Sequence, residues 1–229
     1  MNGGALLQGA FAGLAAGGLY AVIAVCLTLM SRLVRVVNFA QAATGMFAAF
    51  VGVVVGGLLS ALIGWVAATW LSESDTTTRS AMTVAPLLLL ISLSYILFGN
   101  KPQPFTPIVS GAAFSVAGVV VSWVTVVMVL LAVATALAAA FVLRRTSVGI
   151  KLRALSERPT TAELIGIASK PLSIGVWAVT GAISTITILI VASSQSNDAI
   201  SLSMMIVPAA AAALLGGFKR LDLAVITHV

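Results

Sequence analysis

Two amide side chains, Asn38 and Gln41, stand beside a long apolar run with Phe39 between them. An unsatisfied amide is costly in hydrocarbon, so these groups are expected to face the interior of a helical bundle or water. A backbone break here would expose N–H and carbonyl groups to a solute, as in discontinuous transporter helices. Alternatively, Asn38 caps the helix that follows it. The pattern therefore indicates solute contact, a helix cap, or both.

The one substantial hydrophilic stretch, residues 144–170, carries half of the 12 Lys and Arg residues. Within it, the sequence SERPTTAELIGI predicts a short amphipathic helix over 156–167. Pro159 suits a first helical turn, Glu163 lies near the N-terminus where acidic groups are favoured, and Gly166 ends the helix. Two adjacent aliphatic residues add an apolar patch. The stretch is either a surface gripped by a partner protein or a solvated loop whose charges only set topology.

Residue types that would indicate catalysis or another energy source are missing from the sequence. There is no G-x-x-x-x-G-K-[ST] motif for ATP. No carboxylate falls in the middle of an apolar run, which argues against a proton- or sodium-driven carrier. The only His, His228, and the only Cys, Cys26, cannot build a metal site or an intrachain disulfide. We therefore expect no catalysis and no cofactor or metal held by this chain.

The composition is that of a membrane protein. Apolar residues make up 60% of the chain and charged residues 8%, and the mean hydropathy is +1.16. A soluble domain carries roughly 25% charged residues. The apolar runs are long and continuous, which favours helices over a barrel. The sequence predicts an all-α polytopic bundle of about six to eight transmembrane helices, forming one domain over residues 1–229. The net charge of +6 is interpreted as marking cytoplasmic loops, not nucleic-acid binding.

Hydropathy also predicts where the chain crosses. The predicted spans are 5–30, 81–98, 115–143, 171–192 and 204–218, and the polar segments are 72–80, 99–107 and 193–203. The run 39–71 is longer than the roughly 20 residues of one crossing, so it is one tilted helix or two crossings divided near Gly56 and Gly57. If residues 144–170 are cytoplasmic, the number of crossings can be counted back along the chain. Arg32 and Arg35 then also lie on the cytoplasmic side only when the run 39–71 crosses the membrane twice. The charge bias therefore favours two.

Three glycines of the first span, Gly9, Gly13 and Gly17, are spaced by four and share one helix face. This small-xxx-small pattern lets two helices approach closely. Alternatively, it reflects only the high frequency of glycine in membrane helices.

Three stretches resemble a known family. The sequence RVVNFAQ at 35–41 resembles the R-x-x-N-F-A-[HQ]-G motif of the branched-chain amino-acid ABC transporter permeases (LivH/LivM type), with Ala42 in place of the last glycine. The sequence RRTSVGIKLRA at 144–154, continued by LIGI at 164–167, is similar to the cytoplasmic segment of the same family. AALLGGF at 212–218 is a weaker match.

The resemblance implies the permease subunit of an ABC importer for branched-chain or related small aliphatic amino acids, in the bacterial inner membrane. It implies ATPase subunits that bind the ATP, a homologous or identical second permease, and an extracytoplasmic solute-binding protein. Alternatives are a permease for urea, short amides or ribose-type sugars, and a stand-alone carrier or channel. The candidate translocation-path residues are Asn38, Phe39 and Gln41. The candidate ATPase-coupling residues are Glu157, Arg158, Pro159, Thr160, Glu163, Leu164, Ile165 and Gly166.

Overall fold

The computed structural model describes residues 3–71, 74–99, 108–116, 119–192 and 198–215, and these are mostly helical. The helices are α1 (Gly3–Leu33), α2 (Gln41–Val51), α3 (Val53–Trp70), α4 (Thr76–Met82), α5 (Val84–Phe98), α6 (Trp123–Arg145), α7 (Ser147–Glu157), α8 (Pro159–Leu164), α9 (Ser169–Ala192), α10 (Ala199–Met204) and α11 (Ile206–Leu215).

Four segments are long and apolar enough to cross a membrane, and shorter apolar helices stand between them. The four are Leu6–Leu33, Thr76–Phe98, Trp123–Arg145 and Ser169–Ala192, and the shorter ones are Gln41–Val51, Val54–Trp70 and Ala199–Leu215. This arrangement confirms the predicted all-α polytopic membrane protein.

The run 39–71 forms two helices, α2 and α3, which meet at Gly52. This residue has a φ of 131°, a conformation that glycine adopts far more readily than other residues. The division predicted near Gly56 and Gly57 is therefore wrong in position. Both of those glycines lie inside α3, where they face α9 instead of breaking the helix.

The contacts of α2 and α3 with α9 show that the chain reverses at Gly52. Along α2, Gln41 bonds to Thr180, and Gly45 further along lies against Ile188. Along α3, Gly56 meets Thr185 first and Gly64 then meets Trp177. Thus α2 runs parallel to α9 and α3 runs antiparallel to it. The pair is a helical hairpin. Because α2 is shorter than a membrane span, the predicted two crossings of this run stay a prediction.

The helix α9 packs against α1, α2 and α3. Its buried face is rich in small and hydroxyl residues, including Thr180, Gly181 and Ser184. A Cβ added to Gly181 would overlap the side chain of Ser60 on α3. Helices in lipid gain little from the hydrophobic effect and associate through such close packing of small residues.

The predicted close approach at the first glycines of α1 is wrong for Gly9 and Gly13. A Cβ at either position would contact none of the described residues within 4 Å. On this helix the close approach occurs at Gly18, whose added Cβ would lie 3.0 Å from the Met128 backbone of α6. The reason is that the first turns of α1 lie at the edge of the bundle, where Leu6 is exposed, whereas Leu19 and the following residues are buried.

The span predicted over 115–143 begins later, because its first part forms strands. Strands β1 (Ala112–Val116) and β2 (Val119–Ser122) pair antiparallel, and α6 follows with Ser122 as its N-cap. Hydropathy alone does not separate a short apolar strand from a helix, and the run of valines in β2 favours a strand. Among the described residues, this β-hairpin is the part that departs from the all-helical prediction.

Two predicted polar segments are shorter than expected, because aspartates begin helices inside them. Asp75 caps α4 and accepts a hydrogen bond from the N–H of Thr78, and Asp198 caps α10 in the same way through Ser201. The pKa of Asp75 is lowered, chiefly by the hydroxyl of Thr78 and then by its N–H, and the pKa of Asp198 is lowered chiefly by the N–H of Ser201. The predicted spans and polar segments also include positions that lie outside the described residues, namely 72–73, 100–107, 117–118, 193–197 and 216–218.

The exit of α1 and the α7–α8 region lie at the same end of the bundle. The guanidinium of Arg35 bonds to the carbonyls of Ser156 and Glu157 at the end of α7. Asp75 and Glu163 line one cleft with Arg35, which brings the start of α4 to this end as well. We call it the basic end.

Candidate functional site

The chain between α1 and α2, residues 34–40, is not helical. Arg35 has a φ of 57°, an uncommon conformation for a residue with a side chain, and it turns the chain out of α1. α2 then starts beside Thr180, which lies roughly 17 Å along α9 from Ser169 at a rise of about 1.5 Å per residue. The segment therefore reaches the middle of the bundle without forming a helix.

Hydroxyl groups from α4 and the α4–α5 junction satisfy the backbone of this segment. The N–H of Val37 donates to Ser80 Oγ at 3.0 Å, and the N–H of Phe39 donates to Thr83 Oγ1 at 2.9 Å. Irregular backbone at membrane depth is tolerated only where protein or a water-lined cavity satisfies it. The sequence analysis missed both residues. A hydroxyl within the apolar span 81–98 is the signal that could have found Thr83, whereas Ser80 lay in the predicted polar segment 72–80.

Asn38 and Gln41 belong to one buried polar cluster. Asn38 Nδ2 donates to Gln41 Oε1 at 2.9 Å, and Gln41 Nε2 donates to Thr180 O at 2.8 Å and to Ser184 Oγ at 2.7 Å. All four residues are buried. Asn38 is not the cap of α2, because Ala40 occupies that position without a side-chain hydrogen bond. The amides instead join the irregular segment to the centre of α9.

One acceptor in this cluster has no partner. Asn38 Oδ1 is buried and makes no hydrogen bond to the described residues. Buried polar atoms are nearly always paired, so an unpaired one requires a physical reason. The third path candidate, Phe39, is partly buried next to Asn38. The structure therefore brings the three path candidates together, and the side chain of Asn38 keeps one acceptor, Oδ1, that is free among the described residues.

At the basic end, α6 passes directly into α7 through a tight turn. Thr146 caps α7, since its hydroxyl accepts the N–H of Gly149 at 3.1 Å and donates to Val142 O at 2.7 Å. A Cβ on Gly149 would overlap Val142 O and lie 2.6 Å from Leu143 Cα. Only glycine allows α7 to cross the end of α6 this closely.

Gly149→Ala is expected to lower the free energy of unfolding by about 1–3 kcal/mol, because backbone atoms of α6 cannot move aside as a flexible side chain would. Thermal unfolding of the purified protein in detergent measures the change. Gly175→Ala is the matched control, since a Cβ there would contact no described residue within 4 Å. The control should be neutral or stabilised by up to about 1 kcal/mol. Equal melting temperatures would contradict the close α6–α7 contact.

Two short helices replace the predicted single helix over 156–167. Residues up to Glu157 belong to α7, which was expected to be loop, and Arg158 separates it from α8. Pro159 is the first residue of α8, and Gly166 follows its end with a φ of 87°, as predicted. The sequence located the proline start and the glycine stop correctly because both signals are local.

The coupling candidates at the end of α8 are directed away from the bundle. Leu164 is 83% exposed and Ile165 is 71% exposed. Glu163 accepts a hydrogen bond from the hydroxyl of Ser169 at the start of α9, which ties α8 to that helix. Thr160 is exposed and lines the adjacent cleft. The result is a short helix whose last turn is tied to α9 and presents two aliphatic side chains.

A polar cleft of about 630 Å³ lies next to this helix. Charged groups of both signs line it, namely Arg35, Asp75, Arg79, Glu163 and Lys170. A second cavity of about 520 Å³ lies between α1, α6, α7 and α9 and is lined almost wholly by aliphatic side chains. The described residues hold no group of three His, Cys, Asp or Glu that could bind a metal ion.

A comparison with protein families shows which family the sequence belongs to. Residues 9–227 match the family described as the branched-chain amino acid transport system permease component. The chain belongs to this permease family. The helices described above are therefore those of a multi-pass permease component of a transport system. Searches of curated proteins and of solved structures found no match.

Proposed function

We propose that this permease is the translocating subunit of an ABC importer for branched-chain or related small aliphatic amino acids, driven by a separate ATPase. The observation that carries the proposal is the exposure of Leu164 and Ile165 at the basic end. Aliphatic side chains held out from a polar end of a membrane bundle are typical of a protein-binding site. The site suits a groove on an ATPase at the cytoplasmic face of a bacterial inner membrane.

Charges in the described residues support an external energy source. The described carboxylates are Asp75, Glu157, Glu163 and Asp198, and each lies outside the four long spans. Proton- and sodium-driven carriers commonly use carboxylates inside the membrane. An ATPase that binds and hydrolyses ATP on another subunit fits this distribution, and we assign no catalytic residue or cofactor to the permease itself.

For the path, we propose that Asn38, Phe39 and Gln41 contact the solute when the bundle opens. The unpaired Asn38 Oδ1 is an acceptor that suits the ammonium group of an amino acid. The partly buried ring of Phe39 suits an aliphatic side chain. The exposed aliphatic faces of α5 and α6, which include Leu89 and Leu137, leave room for a second permease subunit. An extracytoplasmic binding protein would deliver the solute on the opposite side.

The double variant Leu164→Asp/Ile165→Asp tests ATPase docking. Charging the two exposed positions is expected to reduce co-purification of the ATPase at least tenfold and to abolish ATP-dependent leucine uptake in proteoliposomes. Both residues are too exposed for the changes to unfold the bundle.

Phe114→Asp is the matched control, because Phe114 is also exposed but lies on β1 before the first residue of α6, at the opposite end. It should retain the ATPase. If the double variant keeps the ATPase as well as the control does, α8 is not the docking helix.

A further inference from the structure

Arg35 makes a long-range contact between the irregular segment and α7. Its Nε and Nη2 donate to Ser156 O at 3.1 Å and 2.6 Å, and Nη2 also donates to Glu157 O at 3.1 Å. The last carbonyls of a helix have no partner within the helix and favour a cation. Arg35 therefore completes the C-terminus of α7, although the two lie more than a hundred positions apart in the chain.

The same segment is tied at its other end to the bundle core. Val37 and Phe39 bond to the hydroxyls of Ser80 and Thr83, and Gln41 bonds to the middle of α9. These bonds leave the segment from Arg35 to Gln41 with little freedom to move independently of its neighbours. A displacement of the α7 terminus would therefore displace Asn38 and Gln41.

We propose that Arg35 is a positioning residue through which movement of the α7–α8 pair is transmitted to the 35–41 segment. The inference rests on the proposed function, since it requires α8 to be the ATPase-docking helix and 38–41 to line the path. Docking at Leu164 shifts α8, which follows α7 after the single residue Arg158. The guanidinium then carries the shift of the Ser156 and Glu157 carbonyls into the segment.

A lysine cannot reproduce this link. Arg35 uses two nitrogens of a planar fork on two successive carbonyls, whereas lysine has one ammonium on a flexible stem. Lysine still provides a cation at the end of α7. Arg35→Lys thus separates the transmitting role from the purely electrostatic role at the helix terminus.

The test compares Arg35→Ala, Arg35→Lys and Arg32→Ala in the assembled complex, reconstituted in proteoliposomes with radiolabelled leucine as the probe. Arg32 is an exposed cation in the last turn of α1 and serves as the charge-matched control. The expected result is that the Arg35 variants assemble and hydrolyse ATP within twofold of wild type. Leucine transported per ATP hydrolysed should fall at least fivefold for Arg35→Ala and at least twofold for Arg35→Lys.

Two results would overturn this inference and leave the proposed function standing. In the first, Arg35→Ala transports as much leucine per ATP hydrolysed as Arg32→Ala. In the second, uptake and hydrolysis fall together with the amount of assembled complex. The second result would mean that Arg35 only stabilises the end of α7. No ATP-dependent uptake by the wild-type complex would instead overturn the proposed function, and the inference with it.

Discussion

Gly56→Ala is expected to destabilise the bundle by about 1–3 kcal/mol, because the new methyl group has no space between α3, α2 and α9. It would overlap Thr185 Oγ1 and lie 2.9 Å from Ala48 Cβ. Thr185 cannot easily move aside, since it is β-branched and its hydroxyl donates to Gly181 O at 2.8 Å. Thermal unfolding of the purified permease in detergent measures the effect.

The neighbouring Gly57 provides the control for this prediction. A Cβ at Gly57 would have its nearest neighbours at 3.6 Å, an ordinary contact distance. Both substitutions replace a helical glycine and gain about 0.5–1 kcal/mol from helix propensity. The difference in free energy of unfolding between the two variants therefore reports packing alone. Adding Thr185→Ala to Gly56→Ala should recover part of the lost stability. Equal stabilities of the two single variants would show that α3 does not contact α9 in this way.

Gln41→Leu is expected to lower the free energy of unfolding by about 2–3 kcal/mol. Leucine has nearly the same size, but it removes the acceptor of Asn38 Nδ2 and both bonds to α9. The buried amide of Asn38 would then lack a partner at both its nitrogen and its oxygen. Loss of this anchor should also detach the start of α2 from Thr180 and reduce leucine uptake.

Gln8→Leu makes the same chemical change at an exposed position of α1. Substitutions at such positions usually change stability by less than about 0.5 kcal/mol, so this control should unfold like the wild type. Denaturation of both variants in the same detergent gives the comparison. A Gln41→Leu protein as stable as Gln8→Leu would mean that the amide cluster contributes nothing to holding α2 against α9.

Local signals in the sequence predicted parts of both candidate regions. Pro159 and Gly166 bound α8 because their effects on φ depend on neighbouring residues only. Asn38 and Gln41 were expected in a protected environment because an amide in hydrocarbon needs partners, and both are buried. The role of Asn38 as a helix cap was wrong, because Ala40 holds the N-cap position of α2 and Asn38 lies two residues before it.

Other features depend on contacts between distant segments and could not be predicted. The three glycines on one face of α1 fitted close packing or simply the high frequency of glycine in membrane helices. Gly9 and Gly13 meet no described neighbour within 4 Å, whereas Gly56 on α3 lies directly against α9. A spacing pattern shows which residues share a face, but it does not show which face meets another helix. The valines of β2 likewise fit a strand or a span equally well by hydropathy.

The sequence by itself determined that this permease is a multi-pass helical protein, since its apolar runs are long and continuous and a chain in lipid must satisfy its own backbone hydrogen bonds. It also located the proline start and the glycine stop of α8, but it did not locate the breaks at Gly52 and Arg158. Only the tertiary structure decided that Arg35 joins the end of α7 and that Gln41 joins the middle of α9. The physical reason is that these hydrogen bonds link groups more than a hundred residues apart, whose meeting depends on how the whole bundle packs.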